Sequence, residues 1–408
     1  MIFVMAGGVF AQSDISSPYS RFGLGTMGMN KSNTSIQAMG GICNALDGIH
    51  MLNNANPASY AEIDSLTFLF DAGFYMKNAT YRNSTQSERG SNSSFDYFDI
   101  GFGVTKWLKM GLGVTPCSNR AYNTSSNYNY QYPYTIDYEG DGGLNNLYWC
   151  NGFKITKNFS FGVKLNYMFG NINDETTVKF PDYVHFHNEQ RTINLNFSDV
   201  TFDLGVIYKK QLKKDYRMSF GLVYSLPANM KAHRDTYIRT LYNNSVADTI
   251  YYKSGERVDV KYPQGLGFGV TLQKGERWLI GMDINWSNWS AFRMNNANDS
   301  LQDAWNIAIG GCITPRHTNL SSYLRKITYR VGAHYDQTFF NIYGHSINKY
   351  GVTFGFSLPI PRAMSALNIA FEFGKMGTTR DNLVEESYFN MSFGISLHDK
   401  WFVKRRYK

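Results

Sequence analysis

From Leu66 onward the apolar residues of this chain recur at every second position, and that period admits one kind of secondary structure. Phe161, Val163, Leu165, Tyr167 and Phe169 alternate with Gly162, Lys164, Asn166 and Gly170 at the end of the run. Trp278, Ile280, Met282, Ile284 and Trp286 alternate with Gly281, Asp283, Asn285 and Ser287. Leu266, Phe268, Val270 and Leu272 do so with Gly265, Gly267, Gly269 and Thr271. Such runs predict strands with one greasy face and one small or polar face. A soluble sandwich turns the greasy face inward and carries more charge outside. Here the polar face is Gly, Ser and Thr with scattered ions, the character of a barrel lumen. No window holds 18 uninterrupted apolar residues, so a transmembrane helix is not expected. The mean hydropathy of -0.35 is what alternating strands average to.

The runs number about 14, the even count of a bacterial outer-membrane barrel. Their connections alternate between two kinds. One kind is mostly tight, as at Lys106-Trp107, Thr156-Lys157, Lys274 to Arg277 and Leu358-Pro359-Ile360-Pro361; only Pro315 to Arg325 is long. The other is long, polar and Asn/Tyr-rich: Asn78 to Ser93, Arg120 to Gly143, Asn171 to Arg191 and Ala228 to Gly255. Short inner turns and long outer loops are the asymmetry of this class. Trp107, Trp149, Trp278, Trp286, Trp289, Trp401 and Phe402 fall at strand ends, where an aromatic girdle meets headgroups. The expected fold is therefore all-β, a membrane β-barrel of about 14 antiparallel strands over residues 65–402.

The ends divide further. Met1 to Ala11 is a short apolar run ending in Val9-Phe10-Ala11, which reads as a signal peptide with Gln12 as the new N-terminus. Residues 12–64 are Gly/Asn-rich and weakly periodic, and are expected to form a plug inside the barrel; residues 403–408 form a basic periplasmic tail. The formal net charge of +8 is not a nucleic-acid footprint, because Lys and Arg gather at the short turns and would ring one rim. Cys43, Cys117, Cys150 and Cys312 match no metal spacing, and read equally as a disulfide or as inert thiols. No Gly-x-Ser-x-Gly elbow occurs, and neither an enzyme nor a cofactor is expected; His185 and His187 in an outer loop could bind a metal, but no metal site is expected.

Asn56-Pro57-Ala58, placed just before the first strand, with Ser17-Pro18-Tyr19-Ser20-Arg21-Phe22-Gly23-Leu24-Gly25 upstream and Phe389 to Phe402 at the end, resembles the FadL/OmpP1 outer-membrane transport family, in a branch found in Bacteroidetes. The resemblance implies a plug within a 14-stranded barrel and passive uptake of hydrophobic or amphipathic small molecules, such as a fatty acid, through a lateral gap. It also covers relatives that look like non-transporting accessory subunits of secretion or barrel-assembly complexes. The partners it implies are the outer-membrane bilayer, a hydrophobic ligand, and other envelope proteins.

Candidate site residues follow. Tyr19, Arg21, Phe22, Asn56, Pro57 and Ala58 belong to the plug. Ile193, Leu195 and Phe197 are odd and Phe202, Leu204, Val206 and Tyr208 even, so the phase slips at Ser198-Asp199-Val200, where a bulge would either shape the barrel or gate it. Period two sends Asp71, Asp99, Lys164, Asp283, Arg330, Asp336 and Glu372 inward, together with Lys154, Asp203, Asp259, Lys261 and His334. Buried charge needs partners, so these read as ion pairs pinning the plug or as a polar conduit. The outer-loop tyrosines Tyr122, Tyr128, Tyr130, Tyr132, Tyr134 and Tyr138 suit either ligand capture or packing of the loop on itself.

Overall fold

The computed structural model describes residues 17–28, 32–47, 51–129, 132–180, 186–213, 215–242, 245–295, 301–315, 322–361 and 365–400. The signal peptide expected at 1–11, the basic tail at 403–408, and Tyr130, His185, Trp401 and Phe402 lie outside the described residues.

Fourteen strands run up and down in chain order and close into a barrel. They are β1 (Thr67–Arg82), β2 (Ser87–Gly103), β3 (Leu108–Pro116), β4 (Tyr134–Lys154), β5 (Phe159–Lys179), β6 (Asn188–Gln211) and β7 (Tyr216–Ser225), then β8 (Gly265–Lys274), β9 (Trp278–Ser287), β10 (Ala304–Ile313), β11 (Thr328–Ile342), β12 (His345–Pro359), β13 (Ala366–Gly377) and β14 (Glu385–Lys400). Closure joins β1 to β14 antiparallel, from Thr67 opposite Lys400 to Arg82 opposite Glu385. Phe268, Ile280, Met282, Ile309, Val352 and Phe373 point out and are exposed, as a lipid-facing belt must be. Their neighbours Gly269, Gly281, Asp283 and Thr353 point in.

The wall is uneven. β4, β5 and β6 hold 21, 21 and 24 residues, whereas β7, β8 and β9 hold 10 each, about the length that crosses a bilayer. The segments expected as irregular outer loops are largely strand. Between β7 and β8 the chain rises as a hairpin, Ala228–Tyr242 and Ser245–Tyr262, and Tyr122–Tyr128 adds a strand beside upper β4.

That rise explains two departures from the sequence reading. The β5–β6 ladder carries no register shift, so Ser198, Asp199 and Val200 form no bulge in it. Odd residues of β6 face inward throughout: Leu195 and Phe197 are buried, as are Thr201 and Ile207, while Val200, Phe202 and Tyr208 are exposed. What changes is which face is apolar. Within the membrane the outside is greasy; above it the inside is, because a water-exposed wall must bury its apolar face. Ser198–Val200 instead marks a fork, where β6 exchanges β7 (Asp203 opposite Ser225) for the outer hairpin (Phe197 opposite Ala232). The same inversion misplaces Asp259 and Lys261, which are exposed on the hairpin while Val258 and Val260 face inward. Trp289, expected in the girdle, is buried inside the outer mouth.

Candidate functional site

The N-terminal segment contacts inward-facing wall residues along its length, from Val384 near the outer rim to Thr353 and Asp283 midway and Lys209 near the inner rim. At the top, the Tyr19 hydroxyl donates to the Val384 carbonyl at 2.5 Å, and burial pushes that hydroxyl up to about 12. Arg21 stacks 3.9 Å from the Tyr138 ring, and Thr26 and Met27 pair with Asn119 and Ser118. Phe22 is half-buried against the apolar cluster there.

Midway, the short helix α1 (Thr34–Gln37) is capped by Asn33, whose side chain accepts from the Ile36 amide at 3.0 Å. Below it the backbone touches the wall where inward residues are glycine. A Cβ on Gly221 would collide with the Asn44 carbonyl, and one on Gly332 with the backbone of Met39 and Gly40. Asn56-Pro57-Ala58 then starts a 3₁₀ turn, Pro57–Glu62: Asn56 accepts from the Ala58 amide at 3.0 Å, and Pro57 sits in the first turn, where a missing N–H costs nothing. The Asn56 amide also donates to the Asn44 carbonyl at 2.6 Å and to Val206 in the wall at 3.3 Å.

Four of the seven lumenal charges Asp71, Asp99, Lys164, Asp283, Arg330, Asp336 and Glu372 meet this segment directly or through one hydroxyl. Asp283 accepts from the backbone amides of Cys43 at 2.6 Å and Asn44 at 2.8 Å. Lys164 donates to the Asn54 carbonyl at 3.1 Å and pairs with Asp203 at 3.0 Å. Asp99 accepts from Tyr60 at 2.6 Å; Asp71, opposite Asp99 in the ladder, accepts from Tyr97 at 2.9 Å, and Tyr97 in turn accepts from the Thr34 amide. The other three stay within the wall. Arg330 donates to Ser357, while Asp336 and Glu372 flank His334 at 3.1 and 2.9 Å, with Lys349 at 3.4 Å from Glu372.

One ion-paired cluster carries no signal in sequence spacing. At the inner mouth Lys209 lies between two lumenal acids, 2.8 Å from Asp47 and 2.5 Å from Glu62. Arg217 joins Asp47 at 3.2 Å, and Lys154 joins Glu62 at 3.1 Å. Burial pushes the Glu62 carboxyl up, but Lys209 and Lys154 outweigh it and hold the group below its ordinary range. The available signal was compositional: Asp47 and Glu62 are two of only four acids in residues 12–64.

At the outer mouth the top of the segment joins the wall in a buried apolar cluster. Tyr19, Leu24, Phe197, Val260, Trp289 and Phe339 belong to one buried apolar cluster fed by strands around most of the circumference. Trp289 stacks on Phe339 at 4.2 Å. Tyr122 is buried with its hydroxyl on Asp174 at 2.7 Å, and Tyr128 stacks on Tyr134 at 5.0 Å, so part of the tyrosine-rich loop packs on itself. Two half-open pockets of about 290 and 230 Å³ lie along the segment. The larger has an aromatic side (Tyr262, Trp289, Phe339) and a polar side (Asn44, Lys164, Asp203); the smaller is lined by His334, Asp336, Lys349 and Glu372. All four cysteines are free thiols, with Cys43 and Cys150 buried.

This architecture defines a class: a closed fourteen-stranded antiparallel membrane β-barrel with the fold of FadL-like barrels. Within that class, a family model described as BamG matches residues 1–408, and the chain belongs to the BamG family. Among solved structures it is similar to the toluene transporter TbuX of Ralstonia pickettii (TM-score 0.62, 15% identity, covering 90% of this chain and 98% of that one). It is also similar to the Pseudomonas putida toluene transporter TodX (TM-score 0.61, 14% identity, 91% and 99% covered) and to a Pseudomonas aeruginosa FadL homologue (TM-score 0.59, 12% identity, 92% and 99% covered). At these identities the likeness is one of fold. No curated protein matches the sequence.

Proposed function

We propose that this protein is a plugged, non-conducting barrel of the bacterial outer membrane that serves as an accessory subunit of an envelope assembly complex. The observation that supports the reading is two sets of contacts in the lumen: buried ion pairs between the N-terminal segment and the wall near the inner mouth, and an apolar cluster near the outer one. A channel needs a weakly held gate, whereas buried pairs at 2.5 and 2.8 Å are costly to break one partner at a time. Purification from the native envelope in mild detergent tests it. Stoichiometric recovery of other envelope proteins is expected, and recovery of this chain alone would sink the proposal.

A second reading, passive passage of small hydrophobic molecules, is favoured by the fold shared with the toluene transporters and by the aromatic side of the 290 Å³ cavity. It predicts saturable binding of a hydrophobic probe such as toluene or a fatty acid in the lumen, abolished by filling the cavity with Asn285→Trp.

A further inference from the structure

Each of the inner turns between β2 and β3, β4 and β5, β6 and β7, and β10 and β11 presents an exposed cation beside an exposed apolar side chain. Lys106 stands with Val104 and Trp107, Lys157 with Ile155, Lys213 with Leu212, and Arg325 with Tyr323 and Leu324. Lys210 at the foot of β6 and Arg277 in the β8–β9 turn continue the ring. Among the described residues these six cations make no ion pair or side-chain hydrogen bond, in contrast to the outer rim. There, Lys179 pairs with Asp137 at 2.7 Å, Arg234 with Glu256 at 2.5 Å and Lys375 with Glu385 at 3.1 Å. Exposed acids at the inner turns are fewer: Asp64, Asp215, Glu276 and Asp399.

We propose that this inner ring is a binding site for anionic phospholipid headgroups of the periplasmic leaflet. Charge alone would suit an acidic protein equally. The apolar companions decide the choice, because an exposed Trp, Ile or Leu beside an unpaired cation fits a surface with phosphate at one depth and acyl chain just above it. Trp107 is 56% exposed, Ile155 60% and Leu324 66%, exposures that a bilayer interface covers and water does not favour. The ring therefore fixes the depth of the barrel and recruits phosphatidylglycerol or cardiolipin. A cation near an anionic surface contributes about fivefold in partition, and a Debye length of salt screens it.

The test uses the full chain reconstituted in phosphatidylcholine with trace spin-labelled phosphatidylglycerol or phosphatidylcholine, reading the motionally restricted fraction of each. The expected result is a phosphatidylglycerol preference of about threefold or more that collapses toward one in high salt. The set Lys106→Glu, Lys157→Glu, Lys210→Glu, Lys213→Glu, Arg277→Glu and Arg325→Glu abolishes it, while Arg239→Glu on the outer hairpin leaves it intact. If the six-fold reversal does not fold, judged by heat-modifiable gel migration, the corresponding Gln set replaces it. No preference in the unmodified chain overturns the proposal. So does a preference that survives the reversal, and so does a reversal that spares lipid selectivity but releases co-purifying proteins, which would give the ring to a protein partner.

Discussion

Replacing Lys209 with methionine isolates the inner-mouth latch. The side chains of Lys209, Asp47 and Glu62 are 8%, 2% and 8% exposed, so removing the ammonium strands two buried carboxylates with Arg217 and Lys154 as their remaining cations. Breaking a buried pair from one side costs about 3–5 kcal/mol. At about 1.4 kcal/mol per factor of ten, the population with the plug undocked rises by about two to four orders of magnitude. The buried Cys43 thiol, which burial first and the neighbouring Asp283 second push well up, reports undocking. In a background with Cys117→Ser, Cys150→Ser and Cys312→Ser, maleimide labelling of Cys43 should be negligible with Lys209 and rapid in Lys209→Met. Lys209→Arg should stay slow. The triple Asp47→Asn, Glu62→Gln, Lys209→Met should recover much of the protection, because it strands no buried carboxylate, and the Arg217 and Lys154 side chains it releases are 27% and 37% exposed and reach water. Labelling of Lys209→Met as slow as the parent would refute the reasoning.

Further outcomes follow from the same geometry. Glu62 has a carboxyl held below its ordinary range, so its share of plug docking is complete above about pH 4.3 and is lost as the pH falls below that value. Reaction of Cys43 with a dithiodipyridine, a disulfide reagent that reacts with thiols in acid, should rise only on that acid side. Gly221→Ala forces the wall and the Asn44 carbonyl apart at a cost of about 1–3 kcal/mol, which limited proteolysis of the plug will show as faster nicking with an intact barrel band. Trp289→Ala removes the ring stacked on Phe339 from the outer cluster at about 3–5 kcal/mol, seen as increased protease access to the β9–β10 connection.

The barrel was legible because period two is a local property of each strand. Trp278–Ser287 and Ala304–Ile313 lie where alternation alone puts them, and Asn56-Pro57-Ala58 marks a turn whose cap and proline are equally local. The phase of alternation states which face is greasy, not which face is inside, and those coincide only within the bilayer. Leu195, Phe197, Val258 and Val260 sit above it and invert the relation, so the phase alone implies a bulge at Ser198–Val200 and turns Asp259 and Lys261 inward, where the structure has neither. The latch was hidden for a different reason. Asp47, Glu62, Lys209 and Arg217 are brought together from three distant parts of the chain, and no spacing rule links them.

The account rests on a plug that stays docked, and hydrogen exchange in lipid nanodiscs measures that directly. The amides of Cys43 and Asn44 on Asp283, and of Gly40 on the Thr353 hydroxyl at 2.8 Å, should be as slow to exchange as the central amides of β9 and β12. Exchange of those three within seconds, while the strands remain protected, would make the segment a moving gate and contradict the account.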